Sequence, residues 1–495
     1  MSFTIVIPSI GRPSLQRLLT TLERSGGPAP EAVVVVDDRP RADPPLVLVT
    51  RLPVTVLHSG GRGPAAARNV GWRHARSRWI CFLDDDVLPY PGWLAALTED
   101  LRAAEECGAA GSQAVIDVPV RSGRRSTDDE RRTQRLADAQ WITADMAYRR
   151  SALVQVGGFD ERFPRAYRED SDLGLRITMA GHHIVSGARR TRHPVAPATF
   201  TSSVRAQRGN RDDALLRRKF GPGWRPAIGE GRGRMPAHVL TTAAGLAALA
   251  SSALRRRTVS RWAFAAWLAM TAEFAVRRFL AGRRTVAEAV RMLVTSVLIP
   301  PVAVAHRLVG EWKFRSAHRD PPLAVLLDRD DTIIEDGPYL SDPAGVRPVT
   351  GAAVALDRLR QRGLLLAVVT NQSGVAKGLI STGQLDAVNA RVDELLGPFD
   401  SWQVCLHDAG EGCACRKPEP GMVRAAAAEL GVDPSRCVLI GDTGGDVQAA
   451  LSAEADAVLV PTKRTLPQEI THAHRRARVA PTLQAAVALV LKDAR

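Results

Sequence analysis

Aspartates recur along this chain in groups whose spacing suits the handling of phosphate. Toward the C-terminus Asp328-Arg329-Asp330-Asp331-Thr332 is followed by Thr370-Asn371-Gln372-Ser373, then Lys417, then Gly441-Asp442-Thr443-Gly444-Gly445-Asp446. One carboxylate can attack a phosphoryl group to give an aspartyl-phosphate, a second acid two residues on can protonate the leaving oxygen, and further carboxylates can hold Mg²⁺. A hydroxyl, an amide and a lysine can then neutralise the phosphoryl oxygens. Between them lie Cys405, His407, Cys413 and Cys415, three thiolates and an imidazole that supply a tetrahedral, closed and therefore structural zinc set. Toward the N-terminus stand Asp37-Asp38, Asp84-Asp85-Asp86 and Glu169-Asp170. Asp84 and Asp86 form a D-x-D pair, suited to holding Mg²⁺ or Mn²⁺ against a departing diphosphate, and a carboxylate near Asp170 could deprotonate an acceptor hydroxyl.

Buried strands are needed to deliver these groups to common edges. The apolar runs Leu323 to Leu327, Leu364 to Val369 and Cys437 to Ile440 read as parallel strands whose carboxyl ends carry Asp328, Thr370 and Asp442. At the other end of the chain Phe3 to Pro8 and Ala32 to Val36 read as strands around a helix from Ser14 to Arg24. Gly61 to Trp72 opens a helix that leads into Trp79 to Leu83, a strand ending in acids. Strand, helix, strand and acid is the start of a nucleotide-binding half.

The C-terminal pattern resembles the haloacid dehalogenase (HAD) superfamily of phosphatases. With the Cys-x-His and Cys-x-Cys-Arg-Lys-Pro segments it is similar, within that superfamily, to heptose bisphosphate phosphatases and their histidinol-phosphatase relatives. The resemblance implies Asp328 as nucleophile and Asp330 as general acid and base, with Thr370, Asn371, Arg416 and Lys417 binding substrate phosphate. It also implies Mg²⁺ on Asp328, the Asp330 carbonyl and Asp442, with Asp446 in support. Asp331 departs from the pattern, standing where that subgroup usually has Gly. The N-terminal third resembles inverting glycosyltransferases of family 2 with the GT-A fold. That resemblance implies Asp38 at the nucleotide, Asp84 and Asp86 at the metal diphosphate, and Asp170 as catalytic base with Glu169 as the alternative.

The whole is therefore expected to be α/β: a GT-A domain over 1–225, a basic helical joint over 226–319 and a Rossmann-like HAD domain with a zinc loop over 320–495. A length of 495 residues suits several cores. The formal charge is +15, yet residues 320–495 carry 18 basic and 23 acidic side chains whereas 200–319 carry 22 and 6. That basic stretch holds Met235 to Leu254 without a formal charge, Arg255-Arg256-Arg257, Trp262 to Val276 with Glu273 as its one charge, and a third apolar run, Met292 to His306, broken at Pro300-Pro301. Arginine-bounded apolar helices of this kind suit the surface of an anionic membrane leaflet. Nucleic-acid binding is not expected, because the basic residues alternate with long apolar runs and no finger or helix-turn-helix spacing occurs. Six cysteines, four in the zinc set, and the lack of a leader-like start suggest a reducing cytoplasm. The function the two resemblances imply is bifunctional: glycosyl transfer from a nucleotide-sugar donor to an unidentified acceptor, and hydrolysis of a phosphomonoester, the 7-phosphate of a heptose 1,7-bisphosphate. The alternative is a histidinol-phosphate or other small-phosphomonoester phosphatase tethered by an inactive transferase-like module.

Overall fold

The computed structural model describes residues 1–119, 123–195, 199–315, 317, 320–335 and 339–493. Residues 1–319 form one compact unit and 320–495 another.

In the first unit eight strands form one sheet: β1 (Phe3–Ser9), β2 (Ala32–Asp37), β3 (Val54–His58), β4 (Trp79–Leu83), β5 (Leu88–Pro89), β6 (Gly111–Asp117), β7 (Asp145–Arg149) and β8 (Ile184–Arg192), in the order β3-β2-β1-β4-β7-β6-β8-β5. The β3-β2-β1-β4 half is parallel, and β7 turns antiparallel to β4 and β6. Continuous runs such as Ile5-Val6-Ile7 and Val33 to Val36 are wholly buried because helices cover both faces. One of these, Pro64–His74, lies so close to the sheet that a Cβ on Gly71 would come within 2.3 Å of Val6. Glycine is required there by contact, not by conformation.

The joint belongs to this first unit. Its helices are Met235–Ala253, Arg257–Ala281 and Val286–Lys313. The third corrects the sequence reading: Pro300 and Pro301 lie inside an unbroken helix and do not divide it. An interior proline costs about 3 kcal/mol, so neighbouring packing must hold it, and Ile299, Pro300 and Ala303 are indeed buried. Backbone approach contributes too, since a Cβ on Gly310 would meet the carbonyl oxygen of Arg211 at 2.6 Å.

In the second unit β9 (Ala324–Leu327), β10 (Leu365–Asn371), β11 (Ser401–Cys405), β12 (Cys437–Gly441), β13 (Asp456–Leu459) and β14 (Arg478–Val479) are all parallel, in the order β11-β10-β9-β12-β13-β14. β9 sits centrally between β10 and β12, so the residues following all three strands meet at one carboxyl edge.

Candidate active sites

At that edge of the second unit Lys417 is the hub. Its Nζ lies 2.6 Å from Asp328 Oδ1 and 2.6 Å from Asp446 Oδ1, and donates to the Val369 carbonyl at 2.9 Å. Burial opposes the Lys417 charge, but Asp328 and Asp446 outweigh it and hold the ammonium above its ordinary range. Asp328 rises well above the usual carboxylate range, through burial first and through Asp446 and Asp330 against the pull of Lys417. Asp442 is pushed up to about 7 by burial and by the like charges of Asp446 and Asp331. Oxygens of Asp328, Asp442 and Asp446 lie within 4.8 Å of one another. Three carboxylates against one ammonium leave an excess of negative charge, and all the donors are oxygen, so the residues fit Mg²⁺.

Asp330 is held more firmly than its place in the sequence suggests. The buried Arg329 donates to both its oxygens at 3.0 and 3.1 Å, and Gln372 Nε2 adds a bond of 2.6 Å while also reaching Thr370 Oγ1 at 2.9 Å. Neither Arg329 nor Gln372 carries a role in the sequence pattern by itself. Asn371 differs from expectation in what it touches: its carboxamide exchanges bonds with the Lys417 backbone N–H and C=O, each 3.1 Å, so it positions the lysine. Asp446 caps the helix Gly444–Ser452 by accepting from Thr443 N and Oγ1 at 3.0 and 2.6 Å. Asp331 has φ +56°, the left-handed region where glycine is preferred and aspartate tolerated, which explains the usual glycine of the pattern.

The cysteine loop closes into a cluster. Sγ of Cys405, Cys413 and Cys415 are 3.4 to 3.7 Å apart, and His407 Nδ1 lies 3.6 Å from Cys405 and 3.3 Å from Cys415. A disulfide needs about 2 Å, whereas sulfurs about 2.3 Å from a tetrahedral zinc stand about 3.8 Å apart. The residues fit zinc. Arg416 braces this loop: its N–H points to Cys413 Sγ at 3.4 Å and its guanidinium to the His407 carbonyl at 3.0 Å.

In the first unit the helix Pro64–His74 explains the Ala-Arg-Asn-x-Gly segment residue by residue. Arg68, 1 % exposed, reaches Asp84 Oδ1 at 2.7 Å and Glu169 Oε1 at 2.9 Å, tying the end of β4 to the helix Glu169–Met179. Asn69 clamps Phe159, donating to its carbonyl at 2.8 Å and accepting from its N–H at 2.9 Å. Of the three adjacent aspartates the middle one points inward, Asp85 accepting from Ser9 Oγ at 2.6 Å. Asp84 and Asp86 stay half-buried and share an edge. Two carboxylates offering oxygen ligands there fit Mn²⁺ or Mg²⁺. Asp38 reaches the same edge, but it accepts from Ser59 Oγ at 2.7 Å and Gly63 N at 2.9 Å and so shapes the loop before the helix.

Glu169 is buried and ion-paired, whereas Asp170 is half-buried and accepts only from the N–H and hydroxyl of Ser171 among the described residues. Burial, with the Asp170 charge, pushes Glu169 up to about 8 against Arg68, and burial likewise raises Asp170. Just before them Arg168 has φ +79°. Such strain persists only where it is over-determined, and Arg168 bonds Asp213 at 2.9 Å and Glu230 at 2.5 and 3.0 Å while stacking 4.8 Å from Trp224. Beneath lies a buried network in which Lys219 joins Asp160 to Asp172, a role that no local motif announced.

Comparison with known proteins finds a different family in each unit. The Glycosyl transferase family 2 model matches residues 4–163 and a HAD-hydrolase-like model matches 414–486. The D-glycero-beta-D-manno-heptose-1,7-bisphosphate 7-phosphatase of Pseudomonas aeruginosa is 38 % identical over 143 residues, 28 % of this chain and 80 % of that protein. This chain joins a family 2 glycosyltransferase to a HAD phosphatase, and its phosphatase unit belongs to the family of that enzyme. Among solved structures, the phosphatase unit is similar to D,D-heptose 1,7-bisphosphate phosphatase from B. bronchiseptica with magnesium and phosphate. Identity is 30 %, coverage 34 % of this chain and 99 % of that one, and TM-score 0.32. The transferase unit is similar to a mannosyltransferase from Pyrobaculum calidifontis with GDP-Man and Mn²⁺, at 16 % identity, 63 % and 87 % coverage and TM-score 0.35.

Proposed function

We propose that the phosphatase unit removes the 7-phosphate of a heptose 1,7-bisphosphate and that the transferase unit passes a sugar from a nucleotide-sugar donor to an acceptor hydroxyl. The observation that carries the first half is the Asp328–Lys417–Asp446 cluster, in a unit that shares 38 % identity with a heptose bisphosphate 7-phosphatase. Asp328 attacks the phosphoryl group while Lys417 and the Thr370 hydroxyl hold its oxygens. Asp330, oriented by Arg329 and Gln372, gives its proton to the leaving sugar oxygen and then takes one from the water that hydrolyses the aspartyl-phosphate. Asp328, the Asp330 carbonyl and Asp442 would hold Mg²⁺, which supplies charge neutralisation at the phosphate. Cys405, His407, Cys413 and Cys415 would hold Zn²⁺, which staples the loop carrying Arg416 and Lys417.

In the transferase unit Asp84 and Asp86 would hold Mn²⁺ or Mg²⁺, which neutralises the leaving diphosphate. Asp170 removes the acceptor proton; its half-buried side chain, with no ion pair among the described residues, beside a buried and paired Glu169, supports it over the alternative. Asp38 shapes the nucleotide edge. In this reading the protein works in the cytoplasm, with its joint resting peripherally on the inner face of the cell membrane. The test is phosphate release by the full-length protein from a panel of sugar bisphosphates, histidinol phosphate and simple phosphomonoesters. Release from heptose 1,7-bisphosphate at least tenfold above the other substrates is expected, and preference for histidinol phosphate would overturn the assignment.

A further inference from the structure

The joint helices bury polar groups while leaving apolar ones exposed. On Val286–Lys313 the side turned inward buries Arg291, Thr295 and Ser296 beside Met292, Ile299 and Ala303, whereas Leu293, Val294, Val297 and Leu298 are exposed. The inward groups have specific partners: Arg278 donates to Thr295 Oγ1 at 2.8 Å, Ser296 Oγ at 3.0 Å and Asp128 at 2.7 Å, and Arg291 pairs with Asp129. On Met235–Ala253 the buried residues are His238, Thr241 and Ala248, whereas Leu240, Leu246 and Leu249 are more than 60 % exposed. A helix facing water shows the opposite pattern, and a face this apolar marks a contact surface.

The first two helices make a hairpin with a charged tip. Residues 249–270 are all partly or fully exposed, and Leu254, Trp262 and Leu268 are 71, 75 and 51 % exposed. From 235 to 272 the formal charges are Arg255, Arg256, Arg257 and Arg261, none of which has a carboxylate partner among the described residues. A cleft at the turn is lined by Ser252, Arg255, Arg257, Ser260 and Arg261, hydroxyls and guanidiniums of the kind that bind phosphate esters.

We propose that this layer is seated on an anionic phospholipid leaflet, with Leu246, Leu249, Trp262 and Leu268 in the acyl boundary and the four arginines of the tip on lipid phosphates. The proposal deepens the reading of the joint as membrane-peripheral by naming its lipid-facing residues and headgroup chemistry. Charge complementarity selects this occupant: four unpaired guanidiniums beside an apolar face match anionic headgroups above acyl chains. Crossing is disfavoured, since the arginine tip would have to pass through the membrane. Among the described residues only Val286–Lys313 is long and apolar enough to span, and its polar side is committed to Arg278 and Asp129.

The test is flotation of the full-length protein with vesicles of phosphatidylcholine alone or with phosphatidylglycerol, at low and high salt. Binding that requires phosphatidylglycerol and weakens with salt is expected. Replacing Arg255, Arg256, Arg257 and Arg261 by Gln lowers partitioning on the order of several hundredfold, Leu249→Ser with Leu268→Ser lowers it at least tenfold, and phosphate release is unchanged in both. Wild-type binding that neither variant weakens would keep a membrane role but overturn this surface. Wild-type protein that ignores all vesicles would overturn both readings, and if it also dimerised through the two leucines the face would belong to a second copy. Carbonate-resistant binding would show a span and overturn the surface placement.

Discussion

Arg68 shows how much of the transferase site rests on one side chain. Its guanidinium is fully buried between Asp84 and Glu169, and a planar fork can serve two carboxylates where an ammonium serves as a point charge. Arg68→Lys is therefore expected to keep the fold, lose about 1–3 kcal/mol of stability and weaken donor binding, as read by thermal unfolding and donor titration. Undiminished donor binding would separate Arg68 from the site. In the phosphatase unit Asp331 is the corresponding test of backbone. It occupies the left-handed region and pairs with the exposed Arg464 at 3.4 Å. Asp331→Gly should preserve phosphate release and gain up to about 1 kcal/mol, whereas Asp331→Val should lose about 1–2 kcal/mol, because a β-branched residue fits that conformation poorly. Denaturant unfolding of both variants checks the sign.

At the scale of elements the proposed zinc would make the cysteine loop a folding unit as well as a site support. It follows β11 and runs through Arg416 to Lys417, so releasing one ligand should loosen the lysine that holds Asp328. Cys413→Ser is expected to lose zinc and thermal stability together and to lower phosphate release, measured by metal content and melting of the purified protein. Wild-type protein without zinc would remove this role. The strands that carry the acids were legible because β9, β10 and β12 are uninterrupted apolar runs ending in Asp328, Asn371 and Asp442. The cysteine set was legible because all four ligands lie within one short loop. Pairs made by distant segments were not: nothing in the sequence near Arg68 or Lys219 announces Glu169, Asp160 or Asp172. β6 and β7 also escaped, being short mixed-polarity segments whose pairing depends on their neighbours. The Pro-Pro pair misled for the opposite reason, since a strong local signal was overridden by burial of Ile299, Pro300 and Ala303.

For the whole molecule two proposed chemistries belong to two units, each with its own sheet, core and acid-bearing edge. Inactivating one chemistry should therefore leave the other standing. Asp170→Asn removes the proposed proton acceptor, so transfer should fall on the order of 10²–10⁴-fold with donor binding kept, while Asp328→Asn removes the proposed phosphatase nucleophile. The most direct measurement follows both reactions in the wild type and in these two variants: phosphate release from heptose 1,7-bisphosphate and transfer from a nucleotide-sugar donor. Asp328→Asn is expected to abolish phosphate release and keep transfer, and Asp170→Asn to depress transfer by that factor and keep phosphate release. Near-normal phosphate release by Asp328→Asn would contradict this assignment.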